Sequence, residues 1–218
     1  MPTPDSDERL RAIDFEGLPN NLTEDSVILV AKPAPLEEYA VSLRILDRYT
    51  SPDDRRIVVT TAVSAERTIQ QQTALASPES GRFGVIDATP QHQPSAPFQQ
   101  YPVVSLPHSV ELTRLVLALW ELEASMASGS QQTHFGIRSL TPLLVDEGLG
   151  RTVSVLEHLI EDRSDSGLVV LGLEYTRHDE DTLAALRAIV DGIVWVEERT
   201  DGSISAAYRR VHAQPDGV

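Results

Sequence analysis

The chain is predicted to fold as a three-layer α/β domain, with a mostly parallel sheet and a C-terminal β-hairpin. Three observations predict this. Short continuous apolar runs, such as residues 26–30 (SVILV) and 167–173 (GLVVLGL), suit strands covered on both faces. Stretches with apolar residues every three or four positions alternate with those runs, as helices between parallel strands do. Asp201-Gly202 lies between two strand-like runs and is a hairpin signal.

The elements follow in order. Residues 1–25 read as a polar, acidic tail that becomes ordered near Leu18, and residues 26–218 as one domain. A strand is expected over 26–30, a loop over 31–36, and a helix over 37–49 with Tyr39, Leu43 and Leu46 on one face. A second strand is expected over 56–61, a helix over 65–75 and a third strand over 83–87. Residues 89–107, rich in proline and glutamine, read as a loop interrupted by 101–104. The strongest helix spans 110–126, with Leu112, Leu115, Leu119 and Leu122 at helical spacing; Trp120 on it is read as a core residue. A fourth strand covers 133–140, then a helix 151–163, a strand 167–173, a helix 182–190, a strand 193–197 holding Trp195, also read as core, and a closing strand 205–211.

Composition narrows the functional classes. There is no cysteine, which excludes disulfides, thiolate metal sites and cysteine nucleophiles. No run is long and apolar enough to span a bilayer, and the first residues lack the apolar core of a signal peptide, so the expected location is the cytoplasm. Net charge is −15, from 33 acidic and 18 basic residues. Lys32 is the single lysine among those bases. Scattered acid with almost no lysine suits a halophilic, archaeal proteome. Nucleic-acid binding is disfavoured, because it rests on clustered Lys and Arg, and no basic cluster exceeds Arg209-Arg210.

Ligands of such sheets sit at the carboxyl ends of the strands. The loop after the first apolar strand has the place and length of a phosphate-binding P-loop, G-x-x-x-x-G-K-[ST]. Its residues are Ala31, Lys32, Pro33, Ala34, Pro35, Leu36, Glu37 and Glu38, and none of the four specifying positions is met. Pro33 and Pro35 have no N–H for a phosphate nest. Ala31 and Leu36 are expected to resist the left-handed conformations that glycine permits. Glu37 stands where the motif has lysine, and Glu38 where it has the magnesium-binding hydroxyl. At about 4 Å and an effective dielectric of 20, a unit charge pair is worth roughly 4 kcal/mol, so reversing its sign turns attraction into comparable repulsion. Lys32 is read either as a substitute phosphate ligand or as an exposed loop lysine. The fourth strand stands where a Walker B strand would end in Asp; here it runs on to Arg138, which repels a divalent cation and is read either as pairing with Glu37 or Glu38 across the empty site or as an ordinary salt bridge or surface side chain.

This arrangement resembles the RecA/KaiC superfamily of P-loop ATPases, in a degenerate branch of halophilic archaea. The resembling stretches are SVILVAKPAPLEEYA, RRIVVTTAVSAERTI, RFGVID, THFGIRSLTPLL, GLVVLGLEYTRHDEDTLAAL and DGIVWVEE. The resemblance implies a RecA-like sheet and, in active members, acidic catalytic residues after the second strand. Here that segment reads Thr61-Ala62-Val63-Ser64, with Glu66 one turn on and out of place. Three sites fail together, so no catalytic residue, no metal and no cofactor is expected. The implied function is a pseudo-ATPase that regulates or scaffolds through a protein partner or a homo-oligomer. A transcriptional or signalling regulator and an atypical nucleotide-binding enzyme are the alternatives.

The remaining candidates have structural readings. His178-Asp179-Glu180-Asp181 could hold a hard cation, but the default reading is that Asp179 or Asp181 caps the helix that follows. The other histidines, at 92, 108, 134, 158 and 212, show no ligand spacing. Ser64 and Ser139 lack the G-x-S-x-G setting of a hydrolase nucleophile.

Overall fold

The computed structural model describes residues 10–20, 22, 26–76, 81–89, 98–106, 112–126, 132–161 and 167–211. Its elements in chain order are β1 (Asp14–Glu16), β2 (Val27–Lys32), α1 (Val41–Tyr49), β3 (Arg55–Thr60), α2 (Ala65–Leu75), β4 (Phe83–Asp87), β5 (Val103–Ser105), α3 (Leu112–Ser125), β6 (Thr133–Ile137), α4 (Thr141–Glu147), α5 (Leu149–Glu161), β7 (Val169–Glu174), α6 (Glu180–Ala188), β8 (Gly192–Glu198) and β9 (Ile204–Arg210). The strands make one sheet, ordered β1-β9-β8-β2-β7-β6-β3-β4-β5. From β8 to β5 every pairing is parallel. The β8–β9 hairpin is antiparallel, and β1 pairs parallel to β9.

The apolar runs explain this layout. Every residue of β2 is buried, because both faces are covered. Val27, Leu29 and Ala31 join one core, with Leu115 and Leu122 of α3, Leu143 of α4, Leu156 of α5 and Leu186 of α6. Ile28 and Val30 join the other, with Leu43 and Leu46 of α1 and Ile69 of α2. The hairpin turns at Asp201-Gly202: Gly202 takes φ 77°, and the Asp201 carboxylate accepts from Ser203 N (2.9 Å) and Oγ (2.6 Å). Gly172 is required in β7, where a Cβ would fall well inside contact distance of the Arg138 carbonyl.

Several expectations need correction. The helix expected over 37–49 begins only at Val41. Glu37–Tyr39 is a 3-10 turn, and Ala40 takes φ 47°, ψ 42°, which stops that turn from running into α1. The chain is ordered well before Leu18: Asp14–Glu16 is a strand, and Leu10, Ile13 and Phe15 pack against the α1 side of the sheet. The strand read through to Leu140 ends at Ile137, and α4 follows at once with Pro142 in its first turn. Trp120 is not a core residue: it is 53% exposed on α3. Trp195 is half-buried and meets the Tyr175 ring edge to face at 5.5 Å.

Candidate functional site

β2 lies where the connections diverge. From β2 the chain runs through α1 to β3, beyond β7 and β6, whereas from β7 it returns through α6 to β8 on the other side of β2. The crevice at the carboxyl ends of β2 and β7 is therefore the expected ligand position. Residues from the ends of β2 and β7, the loop after β2 and the segment after β6 meet there.

Lys32 is neither an exposed loop lysine nor an open phosphate ligand. It is the last residue of β2 and is 7% exposed. Its Nζ lies 3.3 Å from Glu174 Oε1 and donates to the Pro35 carbonyl at 2.9 Å. Burial pulls its pKa below the ordinary 10.5, with the Glu174 carboxylate opposing. Glu174 ends β7 and is 3% exposed. Its other oxygen accepts from Ser139 Oγ at 2.9 Å, and its N–H donates to Thr141 Oγ1 at 3.2 Å. Thr141 also meets His178 Nε2 at 3.0 Å. Desolvation and the nearby Arg177 charge lower the His178 pKa, so the ring is neutral near pH 7.

Arg138 and Glu37 form the second pair. Arg138 Nη2 lies 3.0 Å from Glu37 Oε2, and Nη1 donates to Thr68 Oγ1 at 2.8 Å. Burial lowers the arginine pKa against the pull of Glu37, yet it keeps its charge. Of the open readings of Arg138, the pairing across the site is the one seen, and Glu37 rather than Glu38 is the partner. Gln71 Nε2 donates to the Glu37 carbonyl at 2.7 Å, tying the loop to α2. Pro33 lends its carbonyl to Thr176 Oγ1 at 2.7 Å. Ala31 is fully buried in β2, and Glu38 is half-buried with its carbonyl accepting from Arg11 N at 3.0 Å.

The loop departs from expectation in its backbone. Leu36 does adopt the left-handed region, at φ 44°, ψ 47°. Leu36 and Ala40 are the non-glycine residues with positive φ among those described. A non-glycine residue held there costs about 1–2 kcal/mol and persists only where its surroundings enforce it. The ion pairs and the Gln71 anchor supply that enforcement.

Little space remains. A cavity of about 10 Å³ lies between Lys32, Leu36, Ala40, Ser42 and Arg138. That is room for roughly one water molecule, against the ~300 Å³ or more of a ligand pocket. A groove of about 410 Å³ runs elsewhere, along the Arg67, Gln70 and Ala74 face of α2 beside Phe98.

The other candidates settle as structure. Asp179 caps α6, accepting from Thr182 N at 2.9 Å and Oγ1 at 2.7 Å. Ser64 caps α2 through Arg67 N at 3.2 Å. His134 is buried at the opposite end of the sheet, its Nε2 3.2 Å from Asp54 and its Nδ1 accepting from Leu168 N at 3.0 Å. The histidines at 92, 108 and 212 lie outside the described residues. Among the described residues no group of three or more His, Asp or Glu could hold a metal ion, and no helix is long and apolar enough to cross a membrane. Sequence reasoning missed Glu174, Thr141 and Thr68, and it weighed Ser139 as a nucleophile and not as the donor to Glu174 that it is. The available signal was a carboxylate closing an otherwise apolar run, in LGLEY.

The model of a family of unknown function, DUF7504, matches residues 26–196, which is most of the chain and includes this whole crevice. The chain belongs to the DUF7504 family. Two solved structures resemble this DUF7504 chain over most of both lengths. PH0321 of Pyrococcus horikoshii, an uncharacterised protein crystallised with an unknown peptide, has a TM-score of 0.60 at 13% identity, covering 88% of this chain and 86% of that one. PH0250 of Pyrococcus horikoshii OT3 has a TM-score of 0.54 at 12% identity, covering 85% and 87%. An ATPase of a bacterial type III secretion system aligns at a TM-score of 0.46 and 14% identity, over 80% of this chain and 51% of that one. No curated protein is matched by the sequence. At these identities the likeness is one of fold.

Proposed function

We propose that the chain is a pseudo-ATPase of RecA/KaiC type, from a halophilic archaeon, that regulates or scaffolds through protein contacts. One observation carries the reading. The crevice where a nucleotide phosphate would lie is closed by the protein's own charges, Lys32 with Glu174 and Arg138 with Glu37. The carboxylate of Glu37 takes the place of an anion against Arg138, and the remaining cavity holds about one water. The carboxylates at this end of the sheet are already engaged. Glu174 and Glu37 are ion-paired, and Asp87 accepts from Ala65 N and Thr89 N, each at 2.9 Å. That leaves them poorly placed to serve as a base or to hold magnesium.

Calorimetric titration of the full chain with ATP, with and without magnesium, tests this. It is run in molar KCl so that self-repulsion of the −15 charge does not unfold the protein. No binding heat up to millimolar ATP is the expected result. Micromolar binding would refute the reading, and would assign the phosphate contacts to Lys32 and Arg138 after loop opening. The groove along α2 favours a second reading, a ligand-binding protein of another kind, because its volume falls within the range of small-molecule sites.

A further inference from the structure

Helix α3 exposes apolar side chains that its own fold does not cover. Leu117 is 56% exposed and Trp120 53%. They stand three residues apart and are neighbours on the helix surface. Thr113 and Ala124, also exposed, extend the stripe toward either end. The opposite face, Leu112, Leu115, Ala118 and Leu122, is buried in the core. An exposed tryptophan beside a leucine is the composition of an interface centre rather than of a solvated helix.

Charge identifies the occupant. Two copies of a chain with net charge −15 repel one another over most of their surface. The exposed residues of α3 are an exception, since they carry one base, Arg114, and one acid, Glu121, while the half-buried Glu123 is paired with Arg55. These are seven residues, about two turns, apart and share one flank of the helix. Their midpoint falls between Leu117 and Ala118. A two-fold axis through that point sets two α3 helices antiparallel. Arg114 of each protomer then lies beside Glu121 of its partner, and Leu117 and Trp120 of both fill the centre. Arg114 is engaged within its own chain as well, so the pairing uses its charge and not a vacant position. We infer that α3 is the interface of an isologous homodimer, centred on Leu117 and Trp120 and keyed by Arg114 against Glu121. A closed two-fold contact of this kind needs a self-complementary patch, and this stripe is one. The inference names a partner for the protein-contact role proposed above, but it stands on α3 and is independent of the closed crevice.

Sedimentation equilibrium of the full chain over a wide range of protein concentration tests it, at the lowest KCl at which circular dichroism shows the fold intact, so that the charge pairs are not screened away. The expected result is a monomer–dimer equilibrium above the 23.9 kDa chain mass. Leu117→Glu weakens it by about tenfold or more, as loss of a central contact does. Arg114→Glu weakens it to a similar degree, and Arg114→Glu combined with Glu121→Arg restores it. Val145→Glu, on exposed α4 surface (65%), leaves it unchanged. A monomer at every concentration overturns the inference. So does a dimer indifferent to Leu117→Glu, a double charge reversal that fails to restore association, or a dimer lost on Val145→Glu. ATP titration is read separately, so the crevice reading and the dimer can fail independently.

Discussion

Substituting Glu174 by Gln removes the charge that holds Lys32 in the interior while keeping an oxygen to accept from Ser139 Oγ. The two charges are 3.3 Å apart, with side chains 9% and 4% exposed. At that distance and an effective dielectric of 20, their attraction is about 5 kcal/mol. Removing one partner strands a buried ammonium, which typically costs about 3–5 kcal/mol. For a chain of this length the melting temperature should fall by on the order of 10 °C. Lys32→Met should cost a similar amount by stranding the carboxylate. The double variant Lys32→Met with Glu174→Gln buries no charge there and should lie within about 1 kcal/mol of the parent, because removing a whole buried pair is often close to neutral. Urea unfolding followed by circular dichroism at fixed KCl measures all four proteins. If either single change costs under about 1 kcal/mol, or the double change costs the sum of the singles, the pair does not hold the crevice shut.

Alkaline pH offers a related check. Burial holds the folded Lys32 pKa below 10.5, so unfolding takes up a proton there, and the lysine's contribution to stability rises as pH climbs through that window toward 10.5. The loss in Glu174→Gln should therefore shrink with rising pH, and Lys32→Met should lack this component. Raised phenol pKa values at Tyr49 and Tyr208, from burial, act with the opposite sign above pH 10, which makes the comparison between variants the informative quantity. Ser64→Ala removes the cap of α2 and should cost about 1 kcal/mol in the same unfolding assay. Gly172→Ala should abolish soluble expression or lower the melting temperature more than any of these, because the new methyl group meets the Arg138 carbonyl, Gly172 is held within β7, and the Arg138 N–H is bonded to the Val59 carbonyl at 3.0 Å.

The sheet was legible where the physics is local. A continuous apolar run such as SVILV can be satisfied only by burial on both faces, and it became β2 at the sheet centre. Asp201-Gly202 marked its hairpin because few sequences take its backbone angles. Other features depend on partners far along the chain. Lys32 reads as a residue of the loop 31–36, yet it completes β2 because Glu174, 142 positions later, neutralises it. The Tyr39, Leu43 and Leu46 spacing runs unbroken across Ala40, and apolar period alone does not show a left-handed alanine. Seven residues give α4 too little length for a period to declare itself. Trp120 repeats the apolar character of α3 but falls on its outer side, a matter of helix phase and not of composition.

The sheet's two margins are each a strand of three residues, β1 and β5. The β1 margin carries Asp14 and Glu16, both bridged to Arg199. A margin so short and so charged is a poor template for another strand. Growth of the sheet from chain to chain is thus discouraged at that side by the same residues that finish it. A protein built this way is protected from end-to-end fibre formation at that margin.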